Sequence, residues 1–409
     1  MFRIPLILAA ALFAASSVPE TSAQTTDLRA IFSAPITVER TEPVAVIPVE
    51  QTLGKLYIEA VVNGTEGRFI FDTGSPTIVS RAFAESLDLE VVGQNTGVDA
   101  NGNAVTMDIA IARTIALGST VFRDVPVLIH DFSGLTLGSC FIRDGVIGSE
   151  IFPGSAWRID LERSEISLAA SRESLGGDAP WLEARLYDFG YPHAPIVDYV
   201  VADISDKALF DTGSDEVVVL FAEVAANASV RAAMNAETVS RGRGTEGESA
   251  GGRGAIVDIH RFTLDEFAVG ETAAGPRSGT TRSVPPSLIG ARWLETDIVT
   301  LDYPGNAFLL EARSEPEAGR QRGGYSIAYS DGHGEVVQLF DNSPAAASGL
   351  QLGDHVVEIS GHSLVPSSDA EACDIATWLA EGFEPVEAAD LVIERDGERI
   401  PVHVPRREP

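Results

Sequence analysis

The sequence predicts a mainly β protein: two duplicated barrel-like lobes followed by a small α+β domain. Three observations carry this. Residues 44–312 hold many short apolar runs, rich in β-branched and aromatic residues and separated by Gly, Asn and Asp. That is the pattern of closely spaced strands. An apolar strand, an Asp-Thr-Gly-Ser turn and a second apolar strand occur twice, as Phe69-Ile70-Phe71-Asp72-Thr73-Gly74-Ser75 and as Ala208-Leu209-Phe210-Asp211-Thr212-Gly213-Ser214. Residues 313–322 then turn charged and Gly/Pro-bearing, a linker composition.

The duplication extends beyond the two turns. Val146-Ile147-Gly148 places its glycine 76 residues after Asp72, and Leu288-Ile289-Gly290 places its glycine 79 after Asp211. Asp160 and Asp302 follow at 88 and 91. Three features at near-constant offset mark an internal repeat. The boundaries that result are 44–175 for the first lobe, 176–312 for the second, 313–322 for the linker and 323–405 for the last domain.

In the first lobe, Leu56 to Val62 and Arg68 to Phe71 form a hairpin around Asn63-Gly64. Residues 82–89 read as a short helix. Residues 91–105 are a Gly-punctuated hairpin, and residues 109–117 and 121–129 are strands. In the second lobe, residues 221–234 read as one longer helix. The Gly-rich run 241–254 reads as a loop at the place of the first lobe's hairpin. Its Gly242-x-Gly244-x-x-Gly247 lacks a surrounding βαβ unit and carries no nucleotide reading.

Residues 1–23 read as a secretory signal: Arg3, an apolar core from Ile4 to Ala15, and Thr21-Ser22-Ala23 before the cut. The expected location is exported, periplasmic or secreted, with no integral membrane contact unless the signal stays uncleaved. Residues 24–43 are polar and are expected to lack order. The chain of 409 residues carries 60 acidic against 29 Lys and Arg side chains, net −31. A nucleic-acid partner needs a basic footprint and is excluded. Cys140 and Cys373 fall in different predicted domains, so no disulfide framework and no Cys-based metal site is expected. The seven histidines show no metal-ligand spacing. No metal and no cofactor is expected.

Two Asp residues in matched turns suit one chemistry. Two carboxyls a few Å apart cannot both ionise comfortably, so they share a proton. The ionised member takes a proton from water, and the protonated one polarises a carbonyl. Gly allows the tight turn, and the Thr and Ser hydroxyls fix orientation.

These motifs resemble those of pepsin- and retropepsin-type aspartic peptidases, with two fused lobes in one chain. The resemblance implies a retropepsin-like acid-protease β-barrel in each lobe and a cleft between them. It implies Asp72 and Asp211 as the catalytic pair, with Thr73, Gly74, Ser75, Thr212, Gly213 and Ser214 as active-site support. Thr73 and Thr212 would lock the lobes together, and Ser75 and Ser214 would bond the outer carboxylate oxygens. The first-lobe flap, residues 93–107, departs from the pepsin pattern because it has no aromatic residue.

The last domain contains Ser343-Pro344-Ala345-Ala346 and Gly349-Leu350-Gln351-Leu352-Gly353-Asp354, which resemble PDZ domains attached to bacterial proteases. The resemblance implies that Gly324, Tyr325, Ser326 and Ile327 form the loop that takes a peptide C-terminus, with Ile375 and Leu379 near the side-chain pocket. At least one of those two is expected to be core only. The expected function is an aspartic endopeptidase acting on polypeptides, whose PDZ domain binds peptide C-termini to recruit substrate or to regulate. The alternative is a non-catalytic exported binding scaffold that uses the PDZ domain.

Overall fold

The computed structural model describes residues 28–135, 138–315, 323–330, 332–383, 385 and 387–406. The predicted signal peptide and most of the predicted linker lie outside them. The first part runs α1 (Leu28–Ser33), β1 (Thr37–Arg40), β2 (Val44–Pro48), β3 (Glu50–Thr52), β4 (Lys55–Val62), β5 (Thr65–Phe71), β6 (Ile78–Ser80), α2 (Arg81–Ser86), β7 (Val91–Val98), β8 (Ala104–Leu117), β9 (Thr120–His130), α3 (Gly138–Phe141), β10 (Gly145–Ile147), β11 (Ala156–Asp160) and β12 (Glu165–Ala169). Period-2 alternation explains how these strands close. In β4, Leu56, Ile58, Ala60 and Val62 enter one apolar core, while Tyr57 enters another on the opposite face. The β4–β5 turn puts Asn63 and Gly64 at φ +50° and +89°, the left-handed pair that a two-residue hairpin needs.

Six strands form a ring. β4 pairs β5, β5 pairs β10, β10 pairs β6, β6 pairs β9, β9 pairs β8, and β8 returns to β4. The ring leaves no open edge, which makes it a barrel.

The second part runs β13 (Leu182–Tyr187), β14 (Ile196–Val201), β15 (Ile204–Asp211), β16 (Val218–Phe221), α4 (Ala222–Ala225), α5 (Ala228–Ala232), β17 (Ser240–Gly244), β18 (Glu248–Ser249), β19 (Gly252–Arg253), β20 (Val257–Val269), β21 (Thr272–Arg282), β22 (Ser287–Gly290), β23 (Asp297–Asp302) and β24 (Ala307–Ala312). It closes in the same order: β14–β15–β22–β16–β21–β20 and back to β14. Beneath both rings, β2, β12, β11, β23, β24 and β13 form one antiparallel sheet. One apolar core runs through both rings and this sheet.

The last domain holds β25 (Tyr325–Ser330), β26 (His333–Phe340), α6 (Pro344–Ala347), β27 (His355–Ile359), β28 (His362–Ser363), α7 (Asp369–Thr377), β29 (Ala389–Arg395) and β30 (Glu398–Val404). It has its own apolar core.

Four expectations need correction. Residues 24–43 include α1 and β1, and β1 pairs β9 along Thr37–Arg40. Phe32 is 8% exposed and anchors this segment in an apolar cluster. The single helix over 221–234 is two short ones, because Asn227 caps α5 with its side chain on the Ser229 amide. The run 241–254 is no loose loop. Its β17 lies between β20 and β26, and β18 and β19 form a small hairpin. Gly242 and Gly244 are where β26 comes close, since a Cβ there would sit 2.5 Å and 2.3 Å from the Leu339 and Val337 carbonyl oxygens. Finally, Cys140 at α3 and Cys373 in α7 form a disulfide, 233 residues apart in sequence. Sequence distance hid the pairing, since the last domain folds back onto the first barrel.

Closing so long a loop restricts the unfolded chain, so losing the bridge is expected to cost on the order of 2–5 kcal/mol. The denaturant midpoint of a Cys140→Ser/Cys373→Ser double variant measures this. Unfolding identical to the parent's would show that the bridge contributes nothing.

Candidate active site

Each Asp turn is seated by strand pairing. β10 runs parallel to β5 with Ile147 opposite Phe71, and the Asp72 amide donates to the Ile147 carbonyl at 3.0 Å. In the second barrel β22 runs parallel to β15, with Ile289 opposite Phe210 and Gly290 opposite Asp211. The repeated glycines have a steric reason. A Cβ on Gly148 would lie 2.2 Å from the Ser75 carbonyl oxygen, and one on Gly290 2.1 Å from that of Glu216. Only glycine lets these strands approach the turns so closely.

The two turns cross. The Thr73 hydroxyl donates to the Phe210 carbonyl at 2.6 Å and accepts from the Thr212 amide at 3.0 Å. The Thr212 hydroxyl donates to the Phe71 carbonyl at 2.9 Å and accepts from the Thr73 amide at 3.0 Å. Both threonines are fully buried. Each hydroxyl therefore satisfies one buried donor and one buried acceptor of the other turn.

The turn glycines are also reciprocal. The Gly74 amide donates to Asp72 Oδ1 at 2.9 Å, and the Gly213 amide to Asp211 Oδ1 at 2.8 Å. A Cβ on Gly74 would lie 2.6 Å from Asp211 Oδ1, and one on Gly213 2.4 Å from Asp72 Oδ2. Neither glycine has positive φ. They serve close approach of the opposite carboxyl, rather than a special turn conformation. Burial raises the Asp72 carboxyl, to about 7, and Asp211 reinforces the rise, while Lys55 opposes it. The pair holds a proton well above the ordinary carboxylate range.

The serines do not bond the carboxylates. The Ser75 hydroxyl donates to the Pro76 carbonyl at 2.8 Å. Among the described residues, no hydrogen bond joins the Ser214 hydroxyl to Asp211.

Three charged groups near the site escaped the sequence reading. Lys55 Nζ bonds the Gly213 carbonyl. Glu150 is fully buried, with Oε2 accepting from the Thr77 amide at 2.7 Å. The Tyr191 phenol lies beside it, held above its usual range by burial and by Glu150. Burial pushes Glu150 up to about 7. Arg282 is held below its usual range by burial, with Asp211 acting against this, and it donates to the Ala100 carbonyl at 3.0 Å. The position of Glu150, two residues past Gly148, was the one available signal.

The β7–β8 hairpin meets the β18–β19 hairpin of the second barrel. Asp99 Oδ2 accepts from the Gly251 amide at 2.8 Å, and Asn101 Nδ2 donates to the Gly247 carbonyl at 3.2 Å. The two hairpins thus bridge the barrels.

In the last domain, Gly324 abuts Ser343, where a Cβ would lie 2.2 Å from the Ser343 Cβ. Tyr325 is buried with its hydroxyl unpartnered among the described residues, and the Ser326 hydroxyl donates to Gln338 Oε1 at 3.2 Å. Ile327, Ile375 and Leu379 share the domain's apolar core. Arg261 of the second barrel donates to the Gly323 carbonyl at 2.8 Å. Among the described residues no group of His, Cys, Asp and Glu is placed to hold a metal.

Residues 58–151 match the family model of aspartyl proteases. This stretch, which contains Asp72 and most of the first barrel, is aspartyl-protease-like, and it supports a protease-type function. The match does not extend to Asp211. No curated protein matches the chain.

Thr73→Ala would leave the Phe210 carbonyl and the Thr212 amide unpaired inside the protein, at a cost of about 2–4 kcal/mol. Thr73→Ser keeps the hydroxyl and should lose much less. Denaturant unfolding reads both, and an unchanged midpoint for Thr73→Ala would remove the crossing bonds from the account. Glu150 gives a pH signature. The folded state keeps a proton that the unfolded chain releases, so stability falls as pH rises from about 4.5 to about 7. Glu150→Gln removes that part of the slope and is expected to be more stable above pH 7 by on the order of 1–3 kcal/mol. Parallel stability–pH curves for parent and variant would contradict this.

Proposed function

We propose that the chain is an exported aspartic endopeptidase whose C-terminal domain acts as a PDZ module. One observation carries the catalytic reading: each Asp-Thr-Gly turn admits the other's carboxyl over its glycine, so Asp72 and Asp211 form one acid–base unit. The ionised carboxylate draws a proton from a water. The protonated partner donates to the carbonyl oxygen of the scissile amide as water attacks. The tetrahedral species collapses as the amine leaves with a proton from the pair. No covalent enzyme intermediate is needed.

Thr73, Gly74, Thr212 and Gly213 position the pair. The substrate lies extended between the barrels, beneath the bridged hairpins, which must part to admit it. The PDZ reading is supported by β25, whose ladder among the described residues is to β26, and by the apolar residues Ile327, Ile375 and Leu379, which share one core. A peptide C-terminus would add to that edge as a strand, with its carboxylate at Gly324–Ile327. Export is supported by the Cys140–Cys373 bridge, since disulfides persist in oxidising compartments. The predicted leader agrees with it.

Asp72→Asn and Asp211→Asn are each expected to lower cleavage of a diverse peptide library by a factor on the order of 10³ or more, with the fold intact by circular dichroism. Retained cleavage in either variant would reject the pair. The proton that burial and Asp211 hold on Asp72 is needed for activity, so cleavage should fall as pH rises above about 7. A rate that keeps climbing through pH 9 would contradict this.

A further inference from the structure

Lys55 stands at the end of a tight hairpin. Thr52 and Lys55 are paired across it, and Leu53 and Gly54 form the turn at φ +56° and +67°. Leucine is disfavoured in that left-handed region, so something outside the turn must hold it. Glu381 of the C-terminal domain does so. One of its carboxylate oxygens accepts from the Leu53 amide and from the Thr52 hydroxyl, both at 2.6 Å. On its other side the turn presses on the second Asp-Thr-Gly-Ser segment. A Cβ on Gly54 would lie 2.9 Å from Asp215 Cγ.

The part-buried Lys55 reaches across to the Gly213 carbonyl. Gly213 is the glycine that Asp72 Oδ2 packs against. No carboxylate lies within salt-bridge distance of Lys55 among the described residues. A surface lysine would normally find one or face water. This one is spent on a main-chain carbonyl beside the carboxyl pair.

We propose that Lys55 is a positioning residue of the pair, fixing the Gly213 carbonyl and favouring the negative charge on Asp72, and that the C-terminal domain holds it there through Glu381. This rests on the reading of Asp72 and Asp211 as catalytic. It also gives the C-terminal domain a route to the reaction. Glu381 lies in the turn Trp378–Gly382 that continues α7, and Ile375 of α7 and Leu379 of that turn share an apolar core with Ile327 of β25. A peptide seated between α7 and β25 would pull on the hairpin that carries Lys55.

The sign is fixed by the charges that surround the pair. These are Lys55 from β4 acting on Asp72, Arg282 from β21 facing Asp211, and Glu246 acting on Arg282, while Asp215 lies against the Gly54 turn. An ammonium stabilises the carboxylate form, so removing it raises the pH at which the pair first ionises. The acid limb of activity should rise with it, and so should the alkaline limb set by the proton on Asp72.

The test compares kcat/KM against pH for the full chain, Lys55→Met, Lys55→Arg and Glu381→Ala. Lys55→Met is expected to move the acid limb up by about one pH unit. Lys55→Arg should restore it, and Glu381→Ala should move it the same way by less. A Lys55→Met profile that only falls in height, with the limb unmoved, would reduce Lys55 to a packing role. An unmoved limb in Glu381→Ala would overturn the link to the C-terminal domain. Carbon-13 NMR titration of the aspartate carboxyls in parent and Lys55→Met reads the same shift without turnover. If the parent does not cleave, the catalytic reading fails by itself, and the titration still decides whether Lys55 acts on Asp72.

Discussion

The crossing of two buried threonines sets everything else in place. Thr73 and Thr212 each close a donor and an acceptor on the opposite turn, and neither set of bonds exists without the other barrel. Buried polar groups left open cost enough that this crossing specifies one relative placement of the barrels. The carboxyls inherit that placement. Because a Cβ at Gly74 or Gly213 would overlap the opposite carboxyl, the pair is as much a property of two glycines as of two aspartates.

Around this crossing the chain is tied together in several ways. The central antiparallel sheet joins the barrels from below, and the two hairpins join them from above. The C-terminal domain is fastened to both barrels. Its β26 extends the second barrel through β17, its α7 is bonded to the first through Cys140–Cys373, and Glu381 holds the hairpin before β4.

Much of this was legible in the sequence, because the relevant signals are local. The strand, turn and strand around Asp72 recur around Asp211, and the apolar-apolar-Gly segments follow at matching offsets. Period-2 alternation then fixed which face enters the core. What escaped reading depends on distant pieces of chain. Lys55 is one of two lysines, with Lys207, and nothing in its local sequence points to the site until Gly213 is seen beside it. The Cys140–Cys373 bridge looked excluded because its halves lie in different domains. The Gly-rich run looked like a loop because glycine is poor in strands. Here glycine is what lets β26 come close. The role given to the serines failed for a related reason: Ser75 has a nearer acceptor in the Pro76 carbonyl.

If the proposed chemistry holds, two carboxyls from two barrels act as one unit on a tetrahedral centre. The most direct measurement is calorimetric binding of a peptide whose scissile amide is replaced by a hydroxyl-bearing tetrahedral carbon. Tight binding to the parent is expected, weakened by about 10²-fold or more in both Asp72→Asn and Asp211→Asn, because such a group is held by the pair together. Equal binding by parent and both variants would show that the aspartates shape the turns without acting on substrate.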